Sequence, residues 1–156
     1  MEVTRIRALR GPNLWSRRTA IEAVVTCESA ERDLRTTPEF EKRLREMFPS
    51  VGGLHANKPS TPISMAHALE LTALALQAEA GCPVTFSRTT PTEVPGTYQV
   101  AVQYTEEAVG RLALVKAQEL CRAAAEGGTF DSAAALAELR ELDEDERLGP
   151  STGAIA

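Results

Sequence analysis

The alternation of apolar and polar side chains divides the chain into strands and helices before any other property is considered. Val3, Ile6, Ala8 and Leu9 approximate a period of two around Thr4, Arg5 and Arg7, the pattern of a half-buried strand, and Gly11-Pro12-Asn13 breaks it. Ala20 to Cys27, with Ile21, Val24, Val25 and Thr26, reads as a second strand that can form a hairpin with the first. Thr37-Pro38 then supplies a cap followed by proline at the first helical position, Phe40, Leu44, Met47 and Phe48 recur at helical spacing, and Pro49 closes the helix. Gly52, Gly53, Asn57 and Pro59 mark Ser50 to Ser60 as a loop carrying His55.

Thr61-Pro62 repeats the cap-plus-proline signal and opens the most apolar helix, which ends near Ala80 with Gly81 as its left-handed terminator. A helix apolar over most of its circumference belongs in the core, so this one is predicted to be central. Pro83 to Arg88 and Thr97 to Tyr104 read as two further strands, joined through Pro91, Pro95 and Gly96. Glu106 begins a third helix with Leu112, Val115, Leu120 and Ala123 on its apolar faces, ended by Gly127-Gly128. Asp131 or Ser132 caps a fourth, from Ala133 to about Leu142. The order ββααββαα predicts an α+β fold, a mainly antiparallel sheet of about four strands with helices on one face. Residues 1–142 form the domain, and 143–156, acidic and then rich in Gly, Pro and Ser, read as a linker.

Composition narrows the class. The chain has 156 residues, 43% hydrophobic and 25% charged, which suits one globular domain and excludes wholesale disorder. Ile63 to Ala80 is interrupted by His67, Glu70, Gln77 and Glu79, so no stretch reaches the roughly 20 apolar residues of a membrane span. The first ten residues lack the apolar run of a secretory signal, which makes the cytoplasm the expected location. Cys27, Cys82 and Cys121 are odd in number and lack C-x-x-C spacing, so they read as buried free thiols. Residues 1–60 carry 11 Lys/Arg against 8 Asp/Glu, and residues 61–156 carry 6 against 14. The basic end, with Arg5, Arg7, Arg10, Arg17 and Arg18, suits a polyanion, but aromatics at 4% leave few stacking platforms, and no nucleic-acid partner is expected.

His67 and Glu70 are the main chemical suspects, three residues apart on one helix face and roughly 5 to 6 Å apart at Cβ. In the H-x-x-E-H arrangement of metallopeptidases two histidines bind zinc and the glutamate activates a water. Here the second histidine position is Leu71, which has no lone pair, and His55 in the preceding loop is the one other imidazole. The favoured reading of the pair is a hydrogen-bonded polar couple on a buried helix, since buried polar groups are normally paired. No G-x-x-x-x-G-K-[ST], G-x-G-x-x-G or G-x-S-x-G motif occurs, and two histidines give a Ser-His-Asp arrangement little to build on. The acidic run Glu141 to Glu146 lacks the glycine and spacing of a calcium loop and reads as a solvated helix end.

Three segments in order form a recognisable set: Leu9-Arg10-Gly11-Pro12-Asn13-Leu14-Trp15-Ser16, then Ala80-Gly81-Cys82-Pro83-Val84-Thr85-Phe86-Ser87-Arg88-Thr89, then Pro95-Gly96-Thr97-Tyr98-Gln99-Val100. Together they resemble the N-terminal domain of cyanophycin synthetases, over nearly the whole chain. Leu148-Gly149-Pro150-Ser151-Thr152 resembles the entry into that family's ATP-grasp ligase domain, which implies a fragment of a longer enzyme. The resemblance implies a parent that polymerises aspartate and attaches arginine to each β-carboxylate, with ATP and Mg in its ligase domains and no cofactor in this fragment. It also implies a homo-oligomeric parent, and for this domain the binding and tethering of cyanophycin. Such a host needs acids for guanidinium groups and arginines for carboxylates. Arg10, Arg88 and Glu70 are the candidate polymer contacts, Arg88 having Glu93 or Glu106 as alternative partners and Arg10 a turn to anchor. Some family members resemble metallohydrolases, with G-H-x-x-E-H on the helix of residues 61–80. Here the stretch is Ala66-His67-Ala68-Leu69-Glu70-Leu71, so His67 and Glu70 are expected to be remnants without catalytic or metal-binding work. A hydrolase that trims polymer into primers, and a purely structural domain, are the alternatives.

Overall fold

A computed structural model describes residues 1–9, 19–51 and 63–155, with side chains described through Leu148. Its centre is the pair of strands β2 (Ala20–Thr26) and β4 (Thr97–Gln103), flanked by β1 (Glu2–Leu9) and β3 (Ser87–Pro91). The sheet runs β1-β2-β4-β3 with every pairing antiparallel. The helices are α1 (Pro38–Met47), α2 (Met65–Glu79), α3 (Glu107–Glu126) and α4 (Ser132–Ile155), so the expected ββααββαα order and the α+β class hold.

Strand alternation creates the core face. Ile21, Ala23 and Val25 of β2 lie opposite Val102, Val100 and Tyr98 of β4, and Val3 and Ala8 of β1 continue the layer outward. Between Thr4 and Arg7 the register of β1 shifts, with Arg5 in the left-handed region at φ 50°, so the simple period of two is interrupted and Ile6 is left on the surface. Helix α2 packs on β4 and β3, α3 on α2 and β2, and α1 and α4 lie outside against α3. Arginines close two helix ends, Arg43 donating to the Ala124 carbonyl of α3 and Arg140 to the Glu79 carbonyl of α2.

Three boundaries and one helix face differ from the sequence pattern. Helix α2 is capped by Ser64, whose hydroxyl accepts the His67 amide hydrogen, and begins at Met65; Thr61-Pro62 lies outside the described residues, while Gly81 follows the helix at φ 102° as expected. Strand β3 begins at Ser87 because the amides of Thr85 and Phe86 both donate to the Gln103 side-chain oxygen instead of to a strand backbone. Helix α3 buries Val109, Gly110, Ala113, Leu114, Ala117, Leu120, Cys121 and Ala124, which leaves the predicted face residue Val115 exposed. Helix α4, capped by Asp131 on the Ala134 amide, does not stop near Leu142 but runs through the expected linker boundary to Ile155. Asp143 there is buried and receives the Arg147 guanidinium at 3.0 Å, a helical i,i+4 pair.

Helix α3 comes close to β2 and the end of β4 at Gly110, where an added Cβ would stand 2.7 Å from the Tyr104 Cβ and 3.1 Å from a methylene of Ile21. Helix propensity alone favours Ala over Gly by about 1 kcal/mol, whereas overpacking a core costs about 1 to 3 kcal/mol. Gly110→Ala is expected to lower stability by about 1 kcal/mol and the melting temperature by roughly 3 °C, read by calorimetry; a rise in melting temperature would mean that α3 yields freely at this contact.

Candidate functional site

Helix α2 carries two apolar flanks, so any polar group in its body must find its partners inside the fold. Glu70 is 1% exposed and faces β3. Its Oε1 accepts from Nδ1 of His67 at 2.8 Å and from the Thr89 hydroxyl at 3.0 Å, and its Oε2 accepts from the Ser87 hydroxyl. Three donors around one buried carboxylate supply what water would otherwise give it. His67 lies in the first turn of α2, partly exposed, and its bond to Glu70 selects the tautomer with hydrogen on Nδ1.

The sequence singled out His67 and Glu70, and the structure brings them together; it also brings in Ser87 and Thr89, which sequence reasoning missed. Their signal was the period-two placement of hydroxyls in Ser87-Arg88-Thr89, legible only once β3 is known to lie beneath α2. Arg88, between them, projects to the opposite face of the sheet. There the register aligns it with Ala101, then Glu22, then Arg7. Arg7 and Glu22 form an ion pair at 2.8 Å, with the glutamate largely buried. Arg88 and Glu70 therefore belong to different faces of the sheet and do not share one surface. Arg10 and His55 lie outside the described residues.

The residues around Glu70 do not suit a catalytic metal. Leu71 packs against the core, both oxygens of Glu70 are taken by protein donors, and among the described residues no group of three His, Cys, Asp or Glu is placed to hold an ion. The Glu70 carboxylate is almost fully buried, with Oε1 accepting two of these bonds and Oε2 one. The arrangement is a polar tie between a buried helix and an edge strand.

A second buried link lies at the other end of α2. The Gln77 amide nitrogen donates to the Gln103 carbonyl at 2.8 Å while the Gln103 side chain receives the Thr85 and Phe86 amides, so two glutamines join α2, β4 and the approach to β3. Elsewhere, a cavity of about 480 Å³ opens between the start of α1 and the last turn of α3, with Leu34, Phe40 and Met65 as its apolar wall and Glu39 and Arg43 at its edge; neither His67 nor Glu70 lines it.

The cysteines are buried and free, as their number and spacing imply. Burial pushes the Cys121 thiol up to about 12, with a lesser opposing effect from the Thr72 hydroxyl. Burial also raises Cys82, assisted by the charge of Asp143. At pH 8 Cys121 therefore holds a negligible thiolate fraction. Iodoacetamide followed by mass spectrometry is expected to leave Cys121 unlabelled in the folded protein and to label it fully in denaturant; labelling of Cys121 in the native state at the denatured rate would contradict this placement.

The profile of the cyanophycin synthase-like N-terminal domain family matches residues 22–126, from inside β2 to the end of α3. Cyanophycin synthetases of Trichormus variabilis and of a Nostoc species are each 35% identical over 170 aligned positions, covering 99% of this chain and 19% of the relative. That of a Synechocystis species is 34% identical, with 99% and 20% covered. The chain thus spans about a fifth of the length of the curated relatives it matches.

Proposed function

The chain belongs to the cyanophycin synthase-like N-terminal domain family, and from that membership we propose that it binds the arginyl-aspartate polymer and holds it for ligation elsewhere in a longer synthetase, without cutting it. The observation that supports the non-hydrolytic part is the engagement of both oxygens of the buried Glu70 by His67, Ser87 and Thr89, beside Leu71. A hydrolytic site would need that carboxylate free for water and a second imidazole where leucine stands.

Each repeat of the polymer offers a guanidinium and a carboxylate, so its host must present both signs of charge. Arg88 is the described cation best suited to a polymer carboxylate, being exposed on the face away from the helices. Arg7, exposed and paired with the largely buried Glu22 in the same cross-strand row, extends the row toward the opposite edge. Arg10 completes the proposed set from the residues next to β1, while Glu70 contributes from inside the fold. A weak contact repeated along a polymer suffices for tethering, because a bound chain re-engages ligase sites at a high effective concentration. In this reading ATP and Mg serve the ligase domains of the full-length enzyme, a cytoplasmic homo-oligomer, and this domain needs no cofactor. Among the described residues no helix is long and apolar enough to cross a membrane.

The test is incubation of the purified chain with cyanophycin and zinc, following co-sedimentation and release of arginyl-aspartate dipeptide together. Binding without release is expected, with Arg88→Glu weakening binding about tenfold or more, the scale of losing one charge-assisted hydrogen-bonded contact and adding a repulsion. No binding at low salt would overturn the tethering role. Dipeptide release abolished by Glu70→Gln would establish the hydrolase instead.

A further inference from the structure

Strand β3 is a short edge of the sheet. It has five residues, lies at the edge with β4 as its one partner strand among the described residues, and ends at Pro91, which has no amide hydrogen to donate. Before Ser87 the pairing keeps one backbone bond, from the Gln103 amide to the Phe86 carbonyl, while the Thr85 and Phe86 amides are spent on the Gln103 side chain. Short edge segments of this kind open at lower free energy than the rest of a fold. Yet both core-facing hydroxyls of β3, on Ser87 and Thr89, donate to the same carboxylate of the rigid, buried α2. These two residues are the immediate neighbours of Arg88 on either side.

From this we infer that Glu70 is a positioning residue for polymer binding: through Ser87 and Thr89 it pins β3 on both sides of Arg88 and so sets where the guanidinium emerges on the opposite face. The inference rests on the reading of Arg88 as a polymer contact. With period-two geometry, a slip of one residue would turn Arg88 inward and a hydroxyl outward, and the two bonds to Glu70 resist that slip because both would break together. His67 holds the carboxylate from the helix side, its Nδ1 donating to the oxygen that also receives Thr89. A cation held in place before the polymer arrives loses less conformational freedom on binding, and the gain appears as affinity.

The experiment is a double-mutant cycle on the full chain, with binding of a soluble arginyl-aspartate polymer measured by calorimetry at low salt. Ser87→Ala with Thr89→Val removes the tie while leaving Glu70 and Arg88 in place. The expected result is an affinity loss of about threefold to tenfold, the scale of immobilising one long side chain, which disappears in an Arg88→Ala background and is accompanied by faster amide exchange at Arg88 and Thr90. Thr89→Ser, which keeps the hydroxyl, is expected to bind as the parent does. If the double variant proves too unstable to assay, Thr89→Val alone carries the same cycle at smaller amplitude. Unchanged affinity in the folded Thr89→Val or double variant, while Arg88→Ala still weakens binding, would overturn the positioning role and leave the polymer reading intact. Binding unaffected by Arg88→Ala would overturn both Arg88 as a contact and the inference built on it.

Discussion

A carboxylate inside an apolar helix is the constraint around which the fold is arranged. Burying an ionised group without partners costs far more than a small domain's stability can absorb, so α2 must meet donors wherever Glu70 is carried. Those donors come from His67 on the same helix and from Ser87 and Thr89 on a strand almost twenty residues on. Satisfying Glu70 therefore requires β3 to lie beneath α2, in the register that turns alternate hydroxyls upward. The edge strand, its register and the face on which Arg88 appears follow from one polar group.

The remainder of the sheet is attached to the helical layer by two other means. At the far end of α2 the Gln77 and Gln103 amides connect helix, central strand and the approach to β3, with Gln103 acting as a surrogate backbone for two amides. On the other side α3 comes close enough to Tyr104 and Ile21 that position 110 has no room for a methyl group. Apolar burial supplies the general drive toward collapse, but it is indifferent to sliding; the polar ties and the glycine contact select one arrangement.

The two faces of the sheet hold different polar groups. Glu70 and His67 are tied to Ser87 and Thr89 on the helix side, while Arg7, Glu22 and Arg88 align in one cross-strand row on the other, where the largely buried Glu22 is paired with Arg7. Releasing Glu70 from these bonds would withdraw the acceptor from two hydroxyls on β3.

Sequence alone determined the element order, the α+β class, the buried course of α2, the proline-led start of α1 and the pairing of His67 with Glu70, because each depends on spacing within one segment and on the periods of helix and strand. The two glycine and aspartate punctuation points, Gly81 after α2 and Asp131 before α4, were equally local. The choice of Ser64 as cap, the late start of β3, the exposed side of Val115 and the continuation of α4 past Leu142 depended on what lies across the fold. So did the partnership of Glu70 with Ser87 and Thr89, and the separation of Arg88 from Glu70 onto opposite faces. A side chain's neighbours along the chain set its local conformation, but whether its hydrogen bonds are met, and which surface it reaches, is decided by segments that only folding brings to it.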